Sequence, residues 1–302
     1  MNLKPIPILI TWDVDPSPEV PLAARQRSLD VTLDMCRDLA IPTTFFVTAN
    51  AEQAQPPVLA RMQAEGHQIG CHGLTHTDEE EYDRMPAAMQ REYIEKATQK
   101  LQQGSDTPIR VFRSPRLKTS HTTLSILAEY GYVADSSVCS QRMDLISSNL
   151  INRDWLFAPR CPYHPHHENA FKKGDLPLWE VPVSAVAIPF ISAFLSVFGL
   201  TFMKGVFRLL YAEAQRTGKP IVYLAHPIEF TAKWMQPLTL KTLSPAYIRT
   251  HGLIIRKKLY RLQNDAWLEA TRQLFAYMAA RPGVQFMTVG AYAESQVERS
   301  VS

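Results

Sequence analysis

Glycine is scarce in this chain, with 12 residues in 302. Neither GxGxxG nor GxxxxGKS/T occurs, so the glycine-lined cradles of dinucleotide dehydrogenases and P-loop NTPases have no counterpart here. The GxSxG nucleophile elbow and the zincin HExxH are missing too, which argues against a serine α/β-hydrolase and a zincin protease. The four cysteines, Cys36, Cys71, Cys139 and Cys161, form no CxxC pair, and their spacing fits neither a zinc ribbon nor a disulfide framework. Free, mostly buried thiols in a reducing compartment are the expectation. Lys plus Arg exceed Asp plus Glu by 32 − 29 = 3, so overall charge calls for no nucleic-acid partner. The opening MNLKPIPILITWDVD has no apolar h-region and no small-residue cleavage site, which gives the expectation of a cytoplasmic protein.

What is present is alternation. Strand-like runs are predicted at Pro7–Trp12, Thr43–Thr48, His67–Cys71, Arg110–Ser114, Tyr132–Ser136, Leu178–Val183, Ile221–Ala225 and Val284–Val289. Helical patterns fall between them at Leu22–Ala40, Pro57–Glu65, Met85–Gln103, Thr122–Tyr130, Phe190–Gln215 and Asp265–Ala280. Strands separated by helices of this length imply parallel pairing with helical crossovers. No repeat or flexible linker divides the chain. The expectation is one domain over 1–302, with insertions near 145–174 and 230–263.

In a parallel barrel, functional groups gather at the C-terminal ends of the strands. Four strand ends here carry reactive residues: TWDVD with Asp13 and Asp15, GCHGLTH with His72 and His76, FRSP with Arg113 and Pro115, and LAHP with His226. Two histidines four apart on one helical turn face the same way, and one carboxylate completes a facial three-ligand metal site with open positions. The other carboxylate is then free as a proton acceptor, and a distant histidine as a proton donor. Taken singly, each piece has an ordinary reading. Asp-x-Asp caps turns, His-x-x-x-His occurs without metals, and His226 suits a hydrogen-bonded core.

Order and spacing together resemble the NodB-homology polysaccharide deacetylases, the carbohydrate esterase family 4 type, over roughly residues 5 to 295. The resemblance implies a distorted (β/α) barrel of about seven parallel strands and one divalent metal, most often Zn²⁺, with Co²⁺, Ni²⁺ or Mn²⁺ as substitutes. Carried over by position, Asp13 is the general base, Asp15, His72 and His76 are the metal ligands, Arg113 pairs with the base, and His226 is the general acid. Pro115 and Arg116 follow as substrate-side positions. Asp135, in YVADSSV, either orients His226 or caps a turn. The chain departs from the family in three places: the aspartates are spaced Asp-x-Asp, Gly73 replaces a Ser/Thr, and Arg116 stands where an aromatic often follows the proline.

The implied activity is hydrolysis of an N-acyl group, acetyl above all, from an amino sugar or polysaccharide by water activated at the metal. Three other readings stay open: deacylation of a polyprenyl-phosphate-linked sugar at the inner membrane face, hydrolysis of a cyclic amide, and a catalytically silent carbohydrate-binding or membrane scaffold. The membrane reading comes from two stretches. Val181–Met203 carries no charge, while 230–264 carries no acidic residue yet holds Lys233, Lys241, Arg249, Arg256, Lys257, Lys258 and Arg261. Cys161, His164, His166 and His167 suggest an exposed loop more than a second metal site, and Asp78–Asp83 reads as a solvated helix start.

Overall fold

The computed structural model describes residues 5–141, 153–231 and 260–301. Its centre is β1 (Ile6–Val14), nine residues buried along their whole length. A strand covered on both faces reads as a continuous apolar run, as IPILITW does. Then follow α1 (Leu22–Asp38), β2 (Thr44–Val47), α2 (Pro56–Ala64), β3 (Gln68–Cys71), α3 (Ala87–Gln102), β4 (Val111–Phe112), α4 (His121–Glu129) and β5 (Ala134–Asp135). A short hairpin, β6 (Pro165–His166) and β7 (Asn169–Lys173), precedes β8 (Trp179–Glu180) and a second hairpin, β9 (Ala185–Val186) with β10 (Ile188–Pro189). The chain ends with α5 (Ser192–Phe198), α6 (Leu200–Thr217), β11 (Ile221–Ala225), α7 (Asn264–Ala279), β12 (Val284–Phe286) and α8 (Val289–Val301).

Seven parallel strands run in the order β11-β1-β2-β3-β4-β5-β8, with β12 paired to the first residues of β1. The sheet curls into a distorted (β/α) barrel, the architecture the resemblance implies. Among the described residues, no regular strand bridges β8 and β11. The chain after β8 fills the gap instead: Ser184 N donates to Val222 O at 3.1 Å, and Ile191 bridges Leu224. Inside the barrel wall, Trp12 stacks on Phe45 at 6.3 Å and meets Phe230 and Phe275 edge-on.

Three elements differ from the pattern-based expectation. The helix expected across Phe190–Gln215 is two helices, broken where Gly199 takes φ 83°. That left-handed conformation costs glycine nothing and L-residues a good deal. The strand expected over Val284–Val289 stops at Phe286, and Val289 begins α8. The His-rich part of the 145–174 insertion is a hairpin rather than a loop, with His164 Nδ1 donating to the carbonyls of Leu176 and Leu178 at 2.9 and 3.0 Å. The basic residues from Lys233 to Lys258 lie outside the described residues. Among the described residues, no helix is long and apolar enough to cross a membrane.

Candidate metal centre

Because the strands are parallel and in register, their C-terminal ends form one rim. Asp13 lies near the end of β1 and Asp15 just past it; His72 follows β3, Arg113 follows β4, and His226 follows β11. All five converge. His72 Nε2 and His76 Nε2 lie 3.4 and 3.5 Å from Asp15 Oδ1. His72 Nε2 is also 3.9 Å from Asp13 Oδ2, and His226 Nε2 is 3.8 Å from Asp15 Oδ2.

Asp15 Oδ1 is buried and receives no hydrogen bond. An ionised oxygen stripped of donors is costly unless a cation faces it. The two nitrogens are too distant for good hydrogen bonds. Their spacing matches the edge of a tetrahedron built on metal–ligand bonds of about 2.1 Å, which is roughly 3.4 Å. His72 Nδ1 lies 2.8 Å from Arg113 O. A carbonyl only accepts, so Nδ1 carries the proton and Nε2 presents its lone pair towards Asp15. One carboxylate and two imidazoles, each offering a free electron pair to a common point, suit a divalent ion of the zinc type.

The electrostatics agree. Burial opposes ionisation of Asp15, but the imidazoles of His76, His72 and His226 outweigh it and hold the carboxyl far below its usual range. Burial presses His72 towards neutrality, while Asp13 and Asp15 outweigh it and raise its pKa above the ordinary value. For His76 burial wins and the pKa falls. Burial also works against His226, yet Glu229 and then the two aspartates raise it to about 9.

Arg113 is fully buried. Its Nη1 donates to Asp13 Oδ1 at 2.7 Å and to Thr11 Oγ1 at 2.8 Å, while Nε and Nη2 donate to Ser136 O and Oγ at 2.9 and 2.8 Å. The guanidinium also lies over Phe46, 4.3 Å from the ring centroid. Pro115 opens a 3₁₀ turn beside this cluster. Arg116 donates to His76 O, Thr77 O and Asp78 Oδ1 at 3.3, 3.2 and 2.8 Å, tying its turn to the histidine loop.

Of the two roles open to Asp135, the structure shows the turn cap. Its carboxylate accepts from Ser137 N and Oγ at 3.2 and 2.7 Å, and it lies in register with Glu180. The residue that faces His226 is Glu229, with Oε1 3.4 Å from Nδ1 and Oε2 accepting from Ser192 Oγ. Sequence reasoning missed Glu229, although the spacing His226-Pro-Ile-Glu229 was available as a signal.

Glu80 was missed as well. The acidic run at 78–83 suggests a solvated helix start, yet Glu80 is fully buried. A second group, His166, His167 and Glu168, brings ligand atoms together on the β6–β7 hairpin, but His167 and Glu168 are exposed and Cys161 and His164 take no part.

Fold and site together define a (β/α) barrel with three side chains on its C-terminal rim, Asp15, His72 and His76, that could hold a metal ion, flanked by an Arg-paired carboxylate and a histidine. Residues 2–134 match the family model for polysaccharide deacetylase. A chitooligosaccharide deacetylase of Bradyrhizobium sp. (strain ANU 289) is 41% identical over 46 residues, which are 15% of this chain and 21% of that relative's length. The chain thus matches about a fifth of that relative. Among solved structures, a putative polysaccharide deacetylase from Mycobacterium smegmatis has a TM-score of 0.67 at 16% identity, covering 99% of this chain and 92% of the other. The Puue allantoinase has a TM-score of 0.63 at 17% identity, with 97% and 90% coverage. These two likenesses speak for the fold.

Proposed function

We propose that the chain is a metal-dependent amidohydrolase that removes an N-acyl group, acetyl first, from an amino sugar. The observation that carries this reading is the donorless Asp15 Oδ1 set between His72 and His76, with Asp13 and His226 on its flanks. Asp15, His72 and His76 would hold the ion. When bound, it supplies Lewis-acid polarisation of the acyl oxygen and makes water a better nucleophile near neutral pH.

The remaining work falls to side chains. Asp13 takes the proton of the attacking water. Arg113 donates to one oxygen of that carboxylate and fixes its orientation, leaving Oδ2 facing the centre. The amine is a poor leaving group until it is protonated, and His226 Nε2 gives its proton to that nitrogen. Glu229 orients the ring from the Nδ1 side and stabilises its charged form.

The test pairs metal analysis of the purified protein with acetate release from N-acetylated chitooligosaccharide, run beside N-formylated and cyclic-amide substrates. Stoichiometric zinc or cobalt with acetate release supports the reading. Turnover of only the cyclic amide would reassign the substrate, and no binding of any divalent ion would overturn the proposal. A further part of it is peripheral contact with an anionic membrane at the cytoplasmic face, which would suit a lipid-linked sugar. The support is the exposed pair Phe198 and Phe202, 48% and 43% accessible and packed ring to ring at 4.7 Å at the α5–α6 junction.

A further inference from the structure

The loop that carries His76 has no regular structure to hold it. It leaves β3 at Cys71, passes Gly73 at φ 77°, and places His76 itself at φ 59°. A non-glycine residue in the left-handed region is strained and persists only where its surroundings over-determine it. Glu80 provides that constraint. Its Oε1 accepts from Leu74 N at 2.7 Å and Tyr82 OH at 2.9 Å. Its Oε2 accepts from Thr75 N at 2.6 Å, Thr75 Oγ1 at 2.8 Å and His76 N at 2.7 Å. Three successive backbone amides thus close on one buried carboxylate, a concave arrangement that suits an anion.

Gly73 is the other half of the device. A Cβ at this position would lie 2.5 Å from Glu80 Oε1 and 2.9 Å from Pro115 Cγ. Any side chain there would occupy the volume through which the carboxylate reaches the loop. The absence of a hydroxyl residue after His72 and the burial of an acid eight residues downstream are therefore one feature.

We infer that Glu80 is the positioning residue of the metal centre: through the amides of Leu74, Thr75 and His76 it sets where His76 Nε2 stands relative to Asp15, and Gly73 exists to admit it. The inference rests on the reading of Asp15, His72 and His76 as ligands. Outer partners of metal ligands are commonly worth roughly 10- to 100-fold in affinity.

The experiment is cobalt titration of the apo full-length chain, read by the visible absorption of bound Co²⁺, for wild type, H76A, E80Q, E80D, E80A, G73A and G73A/E80A. Melting of each apo protein runs alongside. E80Q places an NH₂ against an amide donor; it should bind cobalt at least 10-fold more weakly with an altered spectrum, while its apo form melts as a folded protein. E80D should recover part of the affinity. G73A should weaken binding in the wild-type background and have a much smaller effect in E80A, since the strain of a positive φ is common to both backgrounds and only the contact with Glu80 differs. Folded E80Q with wild-type affinity and spectrum would overturn the positioning role, as would additive effects of G73A and E80A. Failure of the wild type to bind cobalt, or unchanged binding in H76A, would overturn the ligand reading and this inference with it.

Discussion

Arg113 and Asp13, 100 residues apart in sequence, meet through a 2.7 Å hydrogen bond in which the guanidinium is wholly buried and the carboxylate nearly so. Neither charge is tolerable there alone. Removing one partner from a buried pair typically costs about 3–5 kcal/mol. Arg113→Met should therefore lower the unfolding free energy by roughly that amount, measured by denaturant titration of the apo protein. A loss below about 1 kcal/mol would show that the pair is not the buttress described.

Asp13→Asn should keep the metal and lose most turnover, because an amide accepts no proton from water. His226→Ala should do the same through the leaving group. Each deficit is expected at roughly 10²- to 10⁴-fold, read as kcat with metal content checked in parallel. Near-wild-type kcat in both variants would remove the acid–base assignment.

Glu229 touches no reacting atom, so its effect should reach turnover only through His226. Glu229→Ala should lower kcat by about 10- to 100-fold with KM and metal content little changed. A change confined to KM would point to substrate contact instead.

Asp135 and Glu180 put two carboxyl groups side by side, fully buried. Burial first, and then the neighbouring charge of Asp135, push Glu180 well above the usual carboxyl range; burial also raises Asp135. Glu180 Oε2 has no hydrogen-bond partner, and a proton held on one of the two carboxyls would supply one. A carboxyl that holds its proton more tightly when folded contributes stability that is complete below the unfolded value of about 4.3 and declines as pH rises through the folded value. Glu180→Gln keeps a permanent donor. Its melting temperature should fall less than that of the wild type between pH 5 and pH 8, and parallel curves would contradict the shared proton.

The membrane proposal has its own measurement. The wild type should sediment with anionic liposomes and remain in the supernatant with neutral ones, and F198S/F202S should lose the difference. Equal recovery of the wild type with both would dismiss the contact.

Some of this was legible in the chain and some was not. Ile221–Ala225 matched its strand residue for residue, because a buried parallel strand is written as an uninterrupted apolar run. Asp13, Asp15, His72, His76, Arg113 and His226 were visible because each sits at a strand exit beside a recognisable motif. Glu80 was not, since an acid within Asp78–Asp83 looks solvated until the loop folds over it. Asp135 was ambiguous for a related reason: nothing local distinguishes a residue that caps its own turn from one that reaches across the rim. The break at Gly199 was hidden inside a run whose apolar residues suit one helix as well as two.

The registry of β1 with β11 has one more consequence. Trp12 pairs with Ala225, and the next step along each strand delivers Asp13 and His226. Adjacent strands lie about 4.8 Å apart, a spacing fixed by backbone hydrogen bonds and not by side chains. The backbone attachment points of the residue that would collect a proton and the one that would return it are thus set by a repeat distance of the sheet. Substrate-facing connections can lengthen, shorten or change composition around these two strands without moving the points from which Asp13 and His226 are hung.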